Sequence, residues 1–307
     1  QCRPSCADSF DMQIALHAGV HETDEGRLIK CLSRNAKAFA ARGISIPSQT
    51  NYRFLLRDAV ASIVNGGTPS QQARSVLLDE ILGAETQMVE PDRLLLSNVN
   101  FFSNMGAALK DGMLYRAAEA RLDAFQQLFP QDEIELYIGI RNPATFLPAI
   151  QTASKFESAE EMLQGADPHA VRWSDLVTRL REACPTVAIT VWCNEDTPLI
   201  WGSLLREIAG VEPNIKIVGA FDLLGEIMSP EGMKRFRAYL KEHPVMTEMQ
   251  KRRVISAFLD KFAKEDEIEE EIDTPGWTDR MLTELTELYE EDLYRLQRIP
   301  GVTFFSP

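Results

Sequence analysis

Side chains able to move a proton or hold an anion crowd into one stretch, Met12 to Leu28, MQIALHAGVHETDEGRL. His17 and His21 flank a turn at Gly19, and Glu22, Thr23, Asp24, Glu25, Gly26 and Arg27 follow. Histidine titrates near neutral pH, so His21, inside the loop, is the best general-base candidate in the chain. His17, at the strand end, reads as a packed, hydrogen-bonded histidine. As an alternative, His17, His21, Glu22, Asp24 and Glu25 are side chains that suit a transition metal if they converge. The preferred reading requires no metal. The stretch opens on an apolar run, Ile14-Ala15-Leu16, as a buried strand should. After the loop, Leu28, Cys31, Leu32, Ala36 and Phe39 recur at helical spacing. Strand, tight loop and helix in that order let backbone N–H groups and a helix N-terminus face an anion. The three carboxylates work against that use.

A second cluster is Arg141-Asn142-Pro143. Asn142 suits a helix N-cap and Pro143 the first helical turn. Arg141 then falls at the carboxyl end of a strand, where ligands of open α/β sheets bind. Its alternative is a surface ion pair. Asn194-Glu195-Asp196-Thr197-Pro198 reaches the same edge, with Asp196 or Thr197 expected to cap the helix that Pro198 begins. Asn98 and Asn100 follow another strand; as amides they bind hydroxyls but take no proton. His169 and His243, each beside a proline, carry no signal.

The loop lacks the nucleotide-binding pattern G-x-x-x-x-G-K-[ST]. It resembles the sulfotransferase form, which in many bacterial members runs close to L-H-I-G-x-H-K-T-G-T-T-x-L. Leu16, His17, Gly19, His21, Thr23 and Leu28 fall on that pattern in register. Glu22 stands at the lysine, Asp24 at the glycine and Glu25 at a hydroxyl residue, so the frame is kept and its charge inverted. The R-N-P segment also resembles that family, in which the arginine binds the donor's 3′-phosphate with a serine eight positions later, here Ala149. The resemblance implies a P-loop fold and transfer of a sulfuryl group from PAPS to a hydroxyl of a carbohydrate or small molecule. It implies Gly19, His21, Thr23, Gly26 and Arg27 around the phosphosulfate, with Arg27 replacing the lost lysine and His21 as base. Arg141 is placed on the 3′-phosphate. The inverted loop supports the other hypothesis, an inactive descendant that binds a glycan, a small molecule or a protein partner. It predicts weak or absent binding of PAPS and of its product PAP.

The elements that must position these residues follow from periodicity. Strands are expected at residues 13–18, 93–97, 134–140 and 187–192, as adjacent parallel neighbours. Helices are expected at 54–64, 70–82, 115–129, 143–153, 158–164, 171–183 and 198–209. From Ser229 the pattern is all helix, ending in an amphipathic segment marked by Leu282, Leu285, Tyr289, Leu293 and Leu296. The expected class is a three-layer α/β/α domain over residues 12–307, with a central parallel sheet and a helical C-terminal third. Residues 1–11 are expected to be a leader, residues 44–92 a helical insertion, cap or packing layer, and the acidic run after Lys264 a solvated face or linker.

Composition narrows the function classes. The chain has 307 residues and a net charge of −14, with a pI of about 4.9. That argues against nonspecific binding to nucleic acid or to an anionic membrane surface. No apolar run reaches the ~20 residues of a membrane helix, and no apolar core of a signal peptide is visible. Cys2, Cys6, Cys31, Cys184 and Cys193 are odd in number and lack metal spacing. They read as free thiols in a reducing cytoplasm, with a Cys2–Cys6 disulfide as an alternative.

Overall fold

A computed structural model describes residues 11–83, 90–264 and 274–307. Residues 1–10 of the expected leader, with Cys2 and Cys6, and the acidic run 265–273 lie outside the described residues, while Asp11 N–H donates to the Gln131 carbonyl at 3.1 Å. Four strands run parallel and adjacent: β3 (Arg93–Ser97), β1 (Gln13–His17), β6 (Glu133–Ile140) and β7 (Ala188–Cys193). His17 stands level with Ser97 on one side and with Tyr137 on the other. These are the four strands that apolar runs predict. Two more complete the sheet at its edges, β2 (Ile44–Ser45) beside β3 and β8 (Val302–Phe304) beside β7, again parallel. The tail Gly301 to Phe305, whose sequence reads as a short extended segment pinned by its two phenylalanines, supplies β8, and the two rings divide: Phe304 packs on one face of the sheet and Phe305 on the other. A two-stranded hairpin, β4 (Leu109–Lys110) with β5 (Met113–Leu114), stands apart from the sheet.

Alternation along the strands sends their side chains to two faces. Ile14, Leu16, Leu94, Leu96, Leu136, Ile138, Ile189 and Val191 face the larger core. It is closed by α3 (Gln49–Val64), α4 (Ala73–Leu82), α5 (Ala118–Leu128), α6 (Pro143–Ala153), α7 (Ala159–Leu163), α8 (Trp173–Ala183) and α13 (Asp279–Leu296). Ala15, Leu95, Tyr137 and Trp192 face a smaller core under α1 (Arg27–Ser33), α2 (Ala36–Ala40) and α9 (Thr197–Ala209). Each large aliphatic side chain so buried contributes about 1.5–3 kcal/mol. Within residues 44–92, β2 belongs to the sheet while Tyr52, Leu56, Val60, Leu77 and Ile81 pack into the larger core. The remaining helices, α10 (Asp222–Ile227), α11 (Pro230–Glu242) and α12 (Glu248–Phe262), form a satellite around Leu224, Met233, Phe236 and Ile255. No helix among the described residues is long and apolar enough to cross a membrane.

Candidate functional site

The carboxyl edge of the sheet brings together the ends of β1, β3, β6 and β7. The loop after β1 is bound there by its own backbone. Ala18 N–H donates to the Tyr137 carbonyl at 3.1 Å, Val20 N–H to the Gly139 carbonyl at 3.2 Å, and Gly139 N–H returns to the Gly19 carbonyl at 3.0 Å. The β1–β6 ladder thus continues past His17 and uses amides that a phosphate cradle would need. Gly19 has φ +92°, and a Cβ there would lie 3.3 Å from the Val99 carbonyl oxygen, so glycine is required by both strain and space.

Beyond Val20 the loop closes on itself. The Thr23 hydroxyl donates to the Val20 carbonyl at 2.7 Å. Glu22, Glu25 and Gly26 have φ of 54°, 50° and 74°, all left-handed. Gly26 occupies the N-cap of α1 and has no side chain to offer. Asp24 reaches forward instead: its carboxylate accepts from Leu28 N–H at 3.0 Å, while its carbonyl accepts from Arg27 N–H at 2.7 Å. A carboxylate is stabilised at a helix N-terminus by the same donors and partial charge that would hold a phosphate. Arg27 turns toward the satellite, 3.2 Å from Glu25 and 3.3 Å from Glu226 of α10.

His21 is buried and stacked on Tyr115. The Tyr115 hydroxyl accepts from His21 backbone N–H and lies 2.9 Å from Nδ1, while Nε2 lies 3.0 Å from Asn100 Oδ1. One pattern satisfies these contacts in the neutral ring: the phenol donates to Nδ1 and Nε2–H donates to the amide oxygen. Asn98 supports this by accepting Asn100 N–H, and its own N–H bonds the His17 carbonyl. Both ring nitrogens of the expected base are therefore engaged. His17 is also buried, stacked on Trp192, with Nδ1 3.0 Å from Ser97 Oγ. Its Nε2 is buried and meets no hydrogen-bond partner among the described residues. His17 and His21 thus engage different partners, and no metal-holding group of three or more His, Cys, Asp or Glu side chains occurs among the described residues.

Burial lowers the pKa of both histidines below 6.5, opposed at His17 by the charge of Asp24 and at His21 by the Asn100 bond. In the unfolded chain they take up protons as the pH falls through about 6.5; in the folded chain they resist. Their contribution to stability is therefore complete above that pH and is lost as the pH falls toward the folded values. The loss of urea midpoint between about pH 7.5 and about pH 5.5 is expected to be smaller in His21→Gln than in the unaltered chain. Equal losses would mean that His21 titrates as a free imidazole.

Arg141 is buried at the end of β6, beside the loop. Its Nη1 donates to the Glu22 carbonyl and its Nε to Thr145 Oγ1 at 2.9 Å, while its own carbonyl accepts from the Trp173 indole at 2.8 Å. Arg141 is thus a buried arginine clamped to the loop. Asn142 caps α6 through Ala144 N–H, with Pro143 in the first turn, as its sequence predicts. The expected cap of α9 takes a different form. Asp196 holds the N-cap position without a side-chain bond, and the Thr197 hydroxyl turns back to the Cys193 carbonyl. Glu195 instead accepts from Asn142 N–H at 2.7 Å and from the Tyr289 hydroxyl at 3.2 Å. Burial raises the Glu195 pKa, opposed by these bonds and by Arg141.

Tyr115, Thr145, Glu195 and Tyr289 thus belong to the site without having been singled out for it from sequence. Glu195 had a local signal, since its segment reaches the same sheet edge, and Thr145 follows Arg141 by four positions in the first turn of α6. The thiols of Cys31, Cys184 and Cys193 are free and buried, and burial raises their pKa to about 11, 11 and 12. They are inert toward this site's chemistry. No family model matches the chain, and no curated protein matches it.

Proposed function

We propose that this chain is a sulfotransferase-like protein of the P-loop type whose donor loop is closed by its own side chains, and that it works as a binding protein without using PAPS. One observation carries this reading: the Asp24 carboxylate takes the Leu28 N–H at the start of α1, where the donor's 5′-phosphosulfate would need it. The residues do not fit that donor. A carboxylate about 4 Å from a phosphate costs roughly 4 kcal/mol at an effective dielectric near 20. The absent lysine removes about 1.5–3 kcal/mol more of charge-assisted bonding. Together these correspond to at least about three orders of magnitude in affinity. Arg27 does not compensate while it is drawn to Glu25 and Glu226.

The edge around Arg141, Glu195 and Tyr289 is the part of the site suited to a small-molecule or carbohydrate hydroxyl, since it combines a cation, a carboxylate and a phenol. A transferase acting from PAPS is the second reading. It is favoured by the position of Arg141 against the loop at the strand end. A calorimetric titration of the full chain with PAP separates the two. No saturable binding is expected below about 1 mM. Micromolar binding would put the transferase first.

A further inference from the structure

Away from the loop after β1, α9 and α12 bring several cations together. Arg206 of α9 and Lys251 and Arg252 of α12 line a cleft shared with Ser203, Phe221 and a single carboxylate, Glu248. It encloses about 360 Å³ of atom-free space, partly open to solvent.

Neutral groups hold both guanidinium groups in place. Arg206 donates to the Ile215 carbonyl at 2.8 Å and to the Gly202 carbonyl at 2.9 Å. Arg252 donates to the Ser306 carbonyl at 3.1 Å and to Ser203 Oγ at 3.4 Å. Glu248 lies 2.7 Å from Lys251 but 3.9 Å from Arg206, so it neutralises one cation and hardly touches the other. Arg252 Nε is buried and has no acceptor among the described residues. Buried donors in folded proteins are nearly always paired, so the bonding of this guanidinium is incomplete among the described residues. The cleft carries two positive charges in excess, in a chain whose net charge is −14.

We propose that this cleft binds a phosphoryl dianion. A phosphate monoester carries about −1.5 to −2 at neutral pH, which matches the local excess where a monocarboxylate would not. Arginine forks pair with its oxygens two at a time. The site lies on α9 and α12, not on the loop after β1, so its failure would leave the reading of that loop unchanged. The phosphoryl group could come from a small phosphate ester or from a phosphorylated side chain of a partner.

The test is a titration of the full chain with inorganic phosphate at constant ionic strength, read by calorimetry and by the ¹H–¹⁵N resonance of Arg252 Nε. The expected result is saturable one-to-one binding with a shift of that resonance. Affinity should fall about tenfold or more in Arg252→Gln and in Lys251→Gln. Glu248→Gln should raise it several-fold, a gain that misfolding cannot imitate, and Arg57→Gln should leave it unchanged. Glucose 6-phosphate and a phosphoserine peptide, run in parallel, show by their relative affinities which source the cleft prefers. Absence of saturation by about 10 mM phosphate, equal binding of acetate, or an unmoved Arg252 Nε resonance would each overturn the proposal.

Discussion

Replacing Glu22 with Lys, Asp24 with Gly and Glu25 with Gly is expected to bring PAP binding from undetectable to micromolar. Asp24→Gly has the largest share, because Asp24 alone both repels the phosphate and occupies the Leu28 N–H. Relief of that repulsion corresponds to roughly 4 kcal/mol and a new lysine to about 1.5–3 kcal/mol, hence a gain of at least about a thousandfold. The backbone dictates the choice at residue 25. Glu25 has φ of 50°, where a β-branched threonine is strained and glycine is not. Lysine at 22, where φ is 54°, inherits the same backbone cost that the glutamate already bears. Loss of the Asp24 cap costs about 1 kcal/mol of stability, and glycine at 25 offsets much of it. Adding Arg141→Gln to the triple variant should remove most of the gain, which would locate the ligand between the loop and β6. If the triple variant still ignores PAP while remaining folded, the loop is no degenerate donor site and the sulfotransferase resemblance loses its functional meaning.

The parts of this site that sequence made legible are those set by local pattern or by a general rule of sheets. Ile14 to Leu16 is apolar because β1 is buried between two strands, and the turn after it is marked by Gly19. Arg141 could be placed at the carboxyl edge because strands of a parallel sheet end on the same side. The pairing of the edge strands is not legible in the sequence, for a physical reason. Ile44–Ser45 and Val302–Phe304 are too short for a period to show, and pairing with a longer neighbour makes them strands. The partners of His21 escaped for another reason. Tyr115 lies 94 positions away and Asn100 lies 79 away, and neither separation leaves a trace in local spacing. A histidine in a loop therefore read as an available base, whereas the fold spends both its nitrogens on holding the loop. Helical periodicity likewise identified faces in the C-terminal third but not their partners. Phe236 and Phe258 meet within the satellite, while Leu285 and Tyr289 belong to the larger core.

The largest loss of stability is expected from Asp292→Ala, on α13. Asp292 lies on the same stripe of α13 as Leu285, Tyr289 and Leu296, where an apolar residue would be expected, and it is 1% exposed. Its carboxylate accepts from Trp173 N–H at 2.7 Å, from Ser174 N–H at 3.1 Å and from the Ser174 hydroxyl. Arg172, at the N-cap of α8, makes no side-chain cap bond, so α13 supplies the cap for α8. Alanine would strand two buried N–H groups at the positive end of a helix, each costing about 1–3 kcal/mol, and would leave a cavity besides. The expected loss is about 3–5 kcal/mol, a large part of the ~5–15 kcal/mol that holds a typical domain together. In melting temperature this is roughly 6–15 °C. Asp292→Asn keeps one acceptor oxygen and should lose about half as much. The damage should also reach the site, because the Trp173 indole holds the Arg141 carbonyl and Arg141 holds Glu22. In Asp292→Ala, backbone resonances of residues 22–26 should shift even under conditions where the variant is fully folded. A loss below about 1 kcal/mol would mean that water can replace the carboxylate at this helix end. In that case α13 would be joined to α8 by apolar packing alone.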